Sequence, residues 1–444
     1  MRTGPTVLRY TMLLVAAVVI VVSLALHAAY IDVPILRLTT DSMYVHADFD
    51  TFLRSAKAAV AGRDIYETGA RLPNLNPPFW TLVLLPMAPL DLLTGYRLFA
   101  VGMLLVMLAA MLWVAREVGL RPWVTAVAVV AVLVSSPLYA TLALGQVYPL
   151  LTIGLVAAWV ADRHDRPVLS GVALGLVIAA KPSLLLLALW PAVRGRWRAA
   201  GAVVASGAAA TLVALVVLGI DATARYAEIG LGYEVDGHLH NATLVGAAVR
   251  TFTDNPYVAP LAHVPWTVPL AAGLGLVLVV ATAWRTRRDP EIGLWALVAA
   301  VMLAGPLTWN NYLLLVVPGV LVLLSRGRIA SAVLLFSLQF FPQTWYFEFR
   351  DLPPTVATLA GSVPLYVLVA HWLCFVSAVE AQVGDGARAG GSPGAGQREG
   401  LEATDLRGDR AELPQDRAAR SLTVELPSPS LPRWRGGRRR FTAG

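Results

Sequence analysis

Cysteine, lysine and charged residues in general are scarce in this chain of 444 residues. Charged side chains make up 14% of it, whereas about a quarter is usual for a soluble globular protein. The single cysteine, Cys374, excludes an intramolecular disulfide and a cysteine-rich metal site. Lysine occurs only as Lys57 and Lys181, so every other basic residue is arginine. These counts argue against a soluble domain and against a disulfide-stabilised scaffold.

Several enzyme motifs with well-understood chemistry are missing as well. The chain has no Walker loop, no dinucleotide-binding fingerprint after a strand, no HExxH and no GxSxG. Its formal charge of +7 is not accompanied by a basic patch interleaved with aromatic residues, which is the pattern of nucleic-acid binding. We therefore expect no nucleic-acid partner, no cofactor and no metal site. The arginine excess instead fits cytoplasmic loops that follow the positive-inside rule.

Long apolar runs are what the chain has in abundance. Hydrophobic residues make up 57% of it, and runs of roughly 18 or more apolar residues, enough for a helix to span a bilayer, recur along most of its length. We predict an all-α polytopic membrane protein with about 12 transmembrane helices. The predicted spans lie at about 10–31, 77–93, 97–115, 122–140, 147–161, 167–193, 198–219, 266–283, 291–306, 312–325, 328–346 and 355–379.

The charges between these spans predict their orientation. The first span is too long for an ordinary signal-peptide core, although cleavage after its small residues is an alternative. We expect both termini in the cytoplasm and the polar loops 32–76 and 221–265 outside. The same alternation places loops 116–121 and 162–166 outside, although both carry arginine. Merging the second and third spans into one crossing, and splitting the sixth at its internal proline, would place both loops inside instead.

A change of composition divides the chain near residue 380. Residues 1–379 are predicted to form the transmembrane catalytic domain. From Glu380 the chain becomes rich in Gly, Ala, Pro, Ser and charged residues without periodicity, which predicts a disordered cytoplasmic tail over 380–444. The expected location is the plasma membrane, with the active site on its extracytoplasmic face.

The first outer loop contains a short helical pattern. Phe49, Leu53, Ala56 and Val60 recur at the spacing of one face of a helix, and Gly62 follows where a helix commonly ends. We predict an amphipathic helix lying in the membrane interface. A solvated connector without chemistry is the alternative interpretation.

Polar residues in or beside apolar spans are costly and therefore point to function. Lys181 is a lone cation in an apolar run, which makes it a candidate partner for a phosphate, although its side chain could simply extend to the membrane surface. Asp48 stands at the start of the amphipathic helix, as a candidate general base or only a helix cap. His238 and His240 alternate as metal ligands can, but no third ligand is evident nearby. Together, a carboxylate and a cation at a membrane surface suggest transfer from a lipid phosphate.

A series of short motifs resembles one enzyme family over about residues 40–370. The family comprises the polyprenol-phosphate-mannose-dependent α-mannosyltransferases of actinobacteria, a group within the GT-C superfamily. The motifs, in chain order, are Asp48-Phe49-x-x-Phe52, Gly62-x-Asp64-x-Tyr66, Asn76-Pro77-Pro78, Gly145-Gln146, Gly171-Val-Ala-Leu-Gly175 with Lys181-Pro182, and Asn241-x-x-Leu244-x-Gly246-x-x-x-Arg250.

The resemblance implies a GT-C bundle and an inverting transfer of mannose from a polyprenyl-phosphate-mannose donor. The acceptor would be a lipid-linked or cell-envelope glycan. The family's catalytic aspartate corresponds to Asp48, with Asp50 as the runner-up. The residues implied or selected as substrate-binding are Tyr66, Gln146, Lys181, Asn241, Arg250, Trp309 and Asn311.

One departure and two alternatives stand beside this hypothesis. The family usually carries two adjacent histidines after a tryptophan, where this chain has Asn310 and Asn311 after Trp309. A GT-C enzyme that uses another polyprenyl-phosphate sugar is one alternative. The other is a lipid or solute transporter, which should show paired repeats with broken helices in both halves. Only the predicted span 167–193 is visibly interrupted.

Overall fold

The computed structural model describes residues 4–29, 46–342 and 353–389, which contain helices and no strand. This confirms the predicted all-α class. The α-helices are α1 (Gly4–Ala29), α2 (Ala47–Val60), α3 (Pro78–Leu84), α4 (Leu92–Glu117), α5 (Pro122–Leu133), α6 (Ser136–Leu144), α7 (Tyr148–Arg163), α8 (Pro167–Ala180), α9 (Leu189–Val193), α10 (Trp197–Leu231), α11 (Leu244–Phe252), α12 (Thr267–Thr286), α13 (Gly293–Ala304), α14 (Val317–Ser325), α15 (Ile329–Phe340), α16 (Pro354–Gly361) and α17 (Val363–Ala389), with 3-10 helices at Leu85–Met87, Pro182–Ala188 and Asn310–Val316.

Several of these helices are long and apolar enough to cross a membrane. By length and composition, 4 helices of the described residues qualify, and up to 6 if each of two bent pairs is one span. Shorter apolar helices of 10–17 residues make up much of the rest. The protein is therefore a multi-pass membrane protein, and the number twelve stays a prediction.

The predicted span 167–193 is a hairpin. The Asp162 carboxylate, near the end of α7, forms ion pairs with Arg194, which follows α9, and with Arg196 at 2.8 Å. Both ends of the segment therefore meet at one end of the bundle, and Lys181 lies at the opposite tip. Pro182 explains the turn, because proline disfavours helical backbone in the residue before it, and Lys181 has φ −141° and ψ 83°.

An ion-pair network at the base of this hairpin corrects the predicted topology. Arg163 pairs with Glu117 at 3.0 Å and with Glu291 at 2.7 Å, and Arg326 pairs with Asp289 at 2.6 Å. Loops 116–121 and 162–166 therefore lie at the same end as the loops around 291 and 326. Placing them on opposite sides was wrong, and the arrangement with 167–193 split and 77–115 merged agrees with these contacts.

The predicted amphipathic helix exists, and a glycine positions it. Helix α2 buries Phe49, Phe52, Leu53 and Ala56, and the Phe49 side chain packs against the turn after α6. A Cβ added to Gly145 would lie 2.5 Å from the Phe49 Cβ, and Gly145 has φ 74°. Only glycine satisfies both conditions. The turn therefore places Gln146, the residue after Gly145, beside helix α2.

Small residues hold α8 against α10. A Cβ on Gly171 would overlap the Ala199 carbonyl oxygen, and one on Gly175 would overlap the Ser206 hydroxyl and the Val203 carbonyl. Glycines four residues apart allow such close helix approach within membranes. The Gly171–Gly175 motif is thus explained by helix packing.

The helix at the C-terminal end extends beyond the predicted boundary of the tail. Helix α17 continues to Ala389, past the change of composition at Glu380. The remainder of the predicted tail, and residues 30–45 of the first outer loop, lie outside the described residues.

Candidate active site

Three hairpin tips and helix α2 meet at one end of the bundle and enclose a cavity of about 310 Å³. The tips are the turn between α6 and α7, the turn at Lys181, and the segment between α13 and the 3-10 helix Asn310–Val316. Tyr226, Ile229 and Gly230, in α10 beyond its break at Gly219, close one side. The polar side chains that line this first cavity are Asp48, Thr51, Asn76, Gln146, Tyr148, Lys181, Ser183, Tyr226, Tyr233, Trp309 and Tyr312.

Asp48 is the only carboxylate among the residues described as lining this cavity. Burial raises the pKa of its carboxyl from 3.8 to about 6, while a hydrogen bond with the Gln146 side chain and the charge of Lys181 oppose that rise. A pKa close to neutrality suits a general base, which must be both deprotonated and basic enough to accept a proton. Helix α2 begins at Ala47 with His46 as its N-cap, so Asp48 is not the capping residue.

Asp50, the runner-up, has a different environment. Both of its carboxylate oxygens accept hydrogen bonds from the Arg54 Nε at 2.9 Å, one turn further along α2. Asp50 does not line the first cavity. The two aspartates, two residues apart, therefore point to different parts of the structure, and the geometry favours Asp48.

Lys181 contributes a cation to the same cavity. Its Nζ lies 5.4 Å from the centre of the Tyr312 ring, a separation typical of a cation–π contact. Tyr312 in turn packs against Tyr148, with ring centroids 4.4 Å apart. The Lys181 ammonium thus contacts a pair of packed aromatic rings and lines the cavity, where it could bind an anion.

A second cavity of about 310 Å³ lies beside the first. Asp48, Gln146 and Trp309 line both cavities. The further residues of the second cavity are Leu72, Ala140, Leu144, His238, His240, Asn310 and Asn311.

The two histidines pack around Trp309. The His238 ring lies 4.7 Å from that of His240 and 5.2 Å from that of Trp309. Burial lowers the pKa of His240 to about 3 and also lowers that of His238, so both rings are neutral at pH 7. No group of three potential metal ligands occurs in the described residues. The second cavity is thus lined by Asn310 and Asn311 and also by two imidazole rings from the loop between α10 and α11.

Asn241 and Arg250, predicted to bind substrate, line neither cavity and instead stabilise this loop. The Asn241 amide donates to the Asp236 carbonyl at 2.8 Å and the Pro306 carbonyl at 3.2 Å. Arg250 is fully buried and donates to the His238 carbonyl at 2.9 Å and the Ser362 hydroxyl at 3.0 Å. The loop carries His238 and His240. Asn241 and Arg250 therefore affect the second cavity only indirectly, because they hold this loop in place.

Tyr66 likewise lies outside both cavity walls. Its hydroxyl donates to the Asn76 carbonyl at 3.0 Å, and its backbone N–H donates to Asp64 at 2.7 Å. Burial raises the pKa of the Tyr66 phenol, which keeps it protonated and able to donate. Asn76 and Pro77 line the first cavity. The hydrogen bond from Tyr66 therefore stabilises a segment that forms part of the cavity wall.

The site therefore unites Asp48, Gln146, Lys181, Trp309 and Asn311 of the predicted set. It also contains residues that were not predicted as substrate-binding. In the sequence, Pro182 interrupts the apolar run 167–193 and signals the turn at Lys181. The alternating histidines are visible in the sequence, but only the fold shows that they meet Trp309. The cavity-lining residues missed by the prediction include Asn76, Tyr148, Ser183, Tyr226, Tyr233, His238, His240, Asn310 and Tyr312.

A comparison with known families identifies the class of protein. Residues 74–318, more than half of the chain, match the model of glycosyltransferase family 87. The chain belongs to this family, and it is a membrane glycosyltransferase. Asp48 precedes the matched residues, so its role depends on the geometry of the site.

Among solved structures, the chain is similar to the crystal structure of ArnT from Cupriavidus metallidurans bound to undecaprenyl phosphate. The TM-score is 0.41 at 17% sequence identity, over 88% of this chain and 79% of that chain. No curated protein matches the sequence.

Proposed function

We propose that the protein transfers mannose from polyprenyl-phosphate-mannose to a hydroxyl of a lipid-linked or cell-envelope glycan, with inversion at the anomeric carbon. The proposed site of the reaction is the extracytoplasmic face of the plasma membrane, with loops 32–76 and 221–265 on that side. The observation that carries the proposal is a cavity that contains one buried carboxylate, one cation and an apolar extension.

The apolar extension fits the lipid part of the donor. A groove of about 410 Å³ runs between α3, α8, the 3-10 helix Pro182–Ala188 and α10, and Pro77, Pro182 and Tyr226 line both this groove and the first cavity. Its other lining residues are almost all apolar, among them Ile178, Leu185 and Val204. A lipid chain in the groove would bring its phosphate to the tip that carries Lys181. The combination favours a lipid-linked donor over a soluble sugar nucleotide.

The chemistry requires one bond to form and one to break. The acceptor oxygen attacks the anomeric carbon of the donor, and the bond from that carbon to the phosphate oxygen breaks. Asp48 takes the proton of the attacking hydroxyl, since a neutral hydroxyl is a poor nucleophile. Lys181 stabilises the charge that develops on the departing phosphate. Direct displacement of this kind inverts the configuration.

A transfer assay tests the proposal. Purified protein is incubated with radiolabelled polyprenyl-phosphate-mannose and a glycolipid extract of membranes from the source cells, and the labelled product is identified. We expect label in a glycolipid, and no product from guanosine diphosphate mannose. Preference for polyprenyl-phosphate-arabinose or another hexose would replace the sugar in the proposal. Movement of the intact donor across vesicles without any covalent product would favour a transporter.

A further inference from the structure

The two cavities that share Asp48 differ in charge. The first contains Lys181, whereas the residues described as lining the second include no lysine and no arginine. A phosphate or carboxylate would therefore find a counter-charge in the first cavity and only the Asp48 carboxylate in the second. An uncharged ligand suits the second cavity better, because burying an unpaired anion beside a carboxylate is unfavourable.

The second cavity offers hydrogen bonds and an aromatic face. His238 and His240 are neutral, and the His238 Nδ1 accepts the backbone N–H of His240 at 3.1 Å. The Nε2 of His238 therefore carries the proton and is the nitrogen that can donate to a ligand. The Trp309 ring lies beside both histidines. Sugars carry hydroxyls around their rim and C–H groups on their faces, which match hydrogen-bonding side chains and an indole surface respectively.

Asn311 supplies an acceptor that the protein leaves unused. The residue is 2% exposed, and its Oδ1 has no hydrogen-bond partner among the described residues. A buried acceptor without a hydrogen-bond partner is destabilising. Its neighbour Asn310 is held in place by donating to the Ser136 hydroxyl at 3.0 Å. A ligand hydroxyl in the cavity would satisfy the Asn311 oxygen.

We propose that the second cavity is the acceptor subsite, and that it binds an uncharged sugar whose reacting hydroxyl faces Asp48. This inference rests on the proposed function and adds to it the location and chemical class of the acceptor. Transfer requires the acceptor hydroxyl to contact both the base and the anomeric carbon of the donor, and Asp48, Gln146 and Trp309 form the wall common to the two cavities. The donor sugar then occupies the first cavity, and the acceptor sugar approaches from the second.

Paired variants in the two cavities test this assignment. Asn311→Leu removes the unused acceptor and keeps the branched shape of the side chain, and Ala140→Phe fills part of the second cavity. Ser183→Phe fills part of the first cavity and serves as the matched control. The apparent KM for the glycolipid extract and for radiolabelled polyprenyl-phosphate-mannose is measured for each purified protein, and the thermal midpoint is compared with that of the wild type.

We expect Asn311→Leu and Ala140→Phe to raise the acceptor KM about tenfold or more and to change the donor KM less than twofold. For Asn311→Leu the expected rise follows from the loss of a buried hydrogen bond to the acceptor sugar, and for Ala140→Phe it follows from the volume that the ring takes from the second cavity. Ser183→Phe should show the opposite pattern. An unchanged acceptor KM in Asn311→Leu, or an equal rise of both KM values, would overturn the assignment. If Ala140→Phe fails to fold, Asn311→Leu alone decides it.

The result also separates this inference from the function on which it rests. A wild-type protein that transfers mannose while the second-cavity variants behave normally refutes only the acceptor subsite. A wild-type protein that forms no product from any polyprenyl-phosphate sugar refutes the proposed function, and the subsite with it.

Discussion

The charged side chains at the two ends of the helical bundle differ in whether they form ion pairs. At the end opposite the cavities, Asp162, Asp289 and Glu291 are each paired with arginine, and the Asp289 and Arg326 side chains are only 9% and 10% exposed. At the site end, neither Asp48 nor Lys181 forms an ion pair within 4.0 Å with a described residue, although each feels the charge of the other. Charges that are fully paired hold loops together, whereas charges that face an open cavity are available to a substrate. This difference in pairing distinguishes the residues that hold the loops from the candidate functional residues better than burial does.

Removing the base should have the largest effect on transfer. Asp48→Asn keeps the size of the side chain but cannot accept a proton, so we expect the rate to fall about a hundred- to ten-thousand-fold. Donor binding and thermal stability should stay close to the wild type. Asp50→Asn is the matched control, because Asp50 pairs with Arg54 outside the cavities. An active Asp48→Asn enzyme would remove Asp48 from the mechanism.

Removing the cation should weaken donor binding. Lys181→Met keeps the length of the side chain and loses the charge, and a hydrogen bond to a charged group is worth about 1.5–3 kcal/mol. We therefore expect the donor KM to rise about ten- to a hundredfold, with the protein still folded. Lys57→Met is the control, since Lys57 is the only other lysine and is exposed on α2. A donor KM that stays the same would exclude contact between Lys181 and the phosphate.

The pH dependence of transfer should report the buried carboxyl. The pKa of Asp48 is raised to about 6, and the base acts only when deprotonated, so kcat/KM should be constant above this pH and fall about tenfold per unit below it. The hydrogen bond from Gln146 lowers that pKa. Gln146→Leu should therefore move the acidic limb to higher pH. A profile with no limb between pH 5 and 7 would contradict the assignment of Asp48 as the base.

Breaking the network at the opposite end should change stability and leave catalysis nearly intact. Arg326→Met leaves Asp289 and Glu291 without their shared partner, and disrupting a buried ion pair typically costs about 3–5 kcal/mol. We expect a lower thermal midpoint and an unchanged kcat for the folded enzyme. Arg225→Met is the control, because its pairs with Glu67 and Glu228 are exposed. A large loss of kcat in Arg326→Met would show that the two ends are coupled.

Local patterns in the sequence were sufficient to predict much of the fold. The stripe Phe49, Leu53, Ala56 and Val60 predicted helix α2 correctly, because helical periodicity is a property of neighbouring residues. Its first three residues are buried, whereas Val60, at the end of the helix, is 70% exposed. The same reasoning favoured one span over 167–193 and gave its split at Pro182 only as the alternative, whereas the structure has a hairpin there. Pro182 was the available signal, but a proline can kink a transmembrane helix as well as end it.

The candidate site shows a similar division. Asp48 and Lys181 were recognisable one by one, since a carboxylate and a cation are unexpected in such an apolar chain. Asn241 and Arg250 were equally prominent in the sequence, yet their hydrogen bonds stabilise the loop that carries His238. Polar residues that stabilise a loop and polar residues that bind a substrate look alike until their partners are known.

Composition and periodicity by themselves determined that this protein is a helical membrane protein with an amphipathic helix ahead of its apolar core. Both follow from local physics, because the length of an apolar run sets what can cross a bilayer and a 3.6-residue period sets which face is buried. Only the tertiary structure decided that residues 48, 146, 181, 238 and 309 share two cavities. Positions 146, 181 and 309 come from three hairpin tips, position 48 from helix α2 and position 238 from the loop before α11. Their meeting depends on helix packing and on the paired charges at the other end, which no local pattern contains.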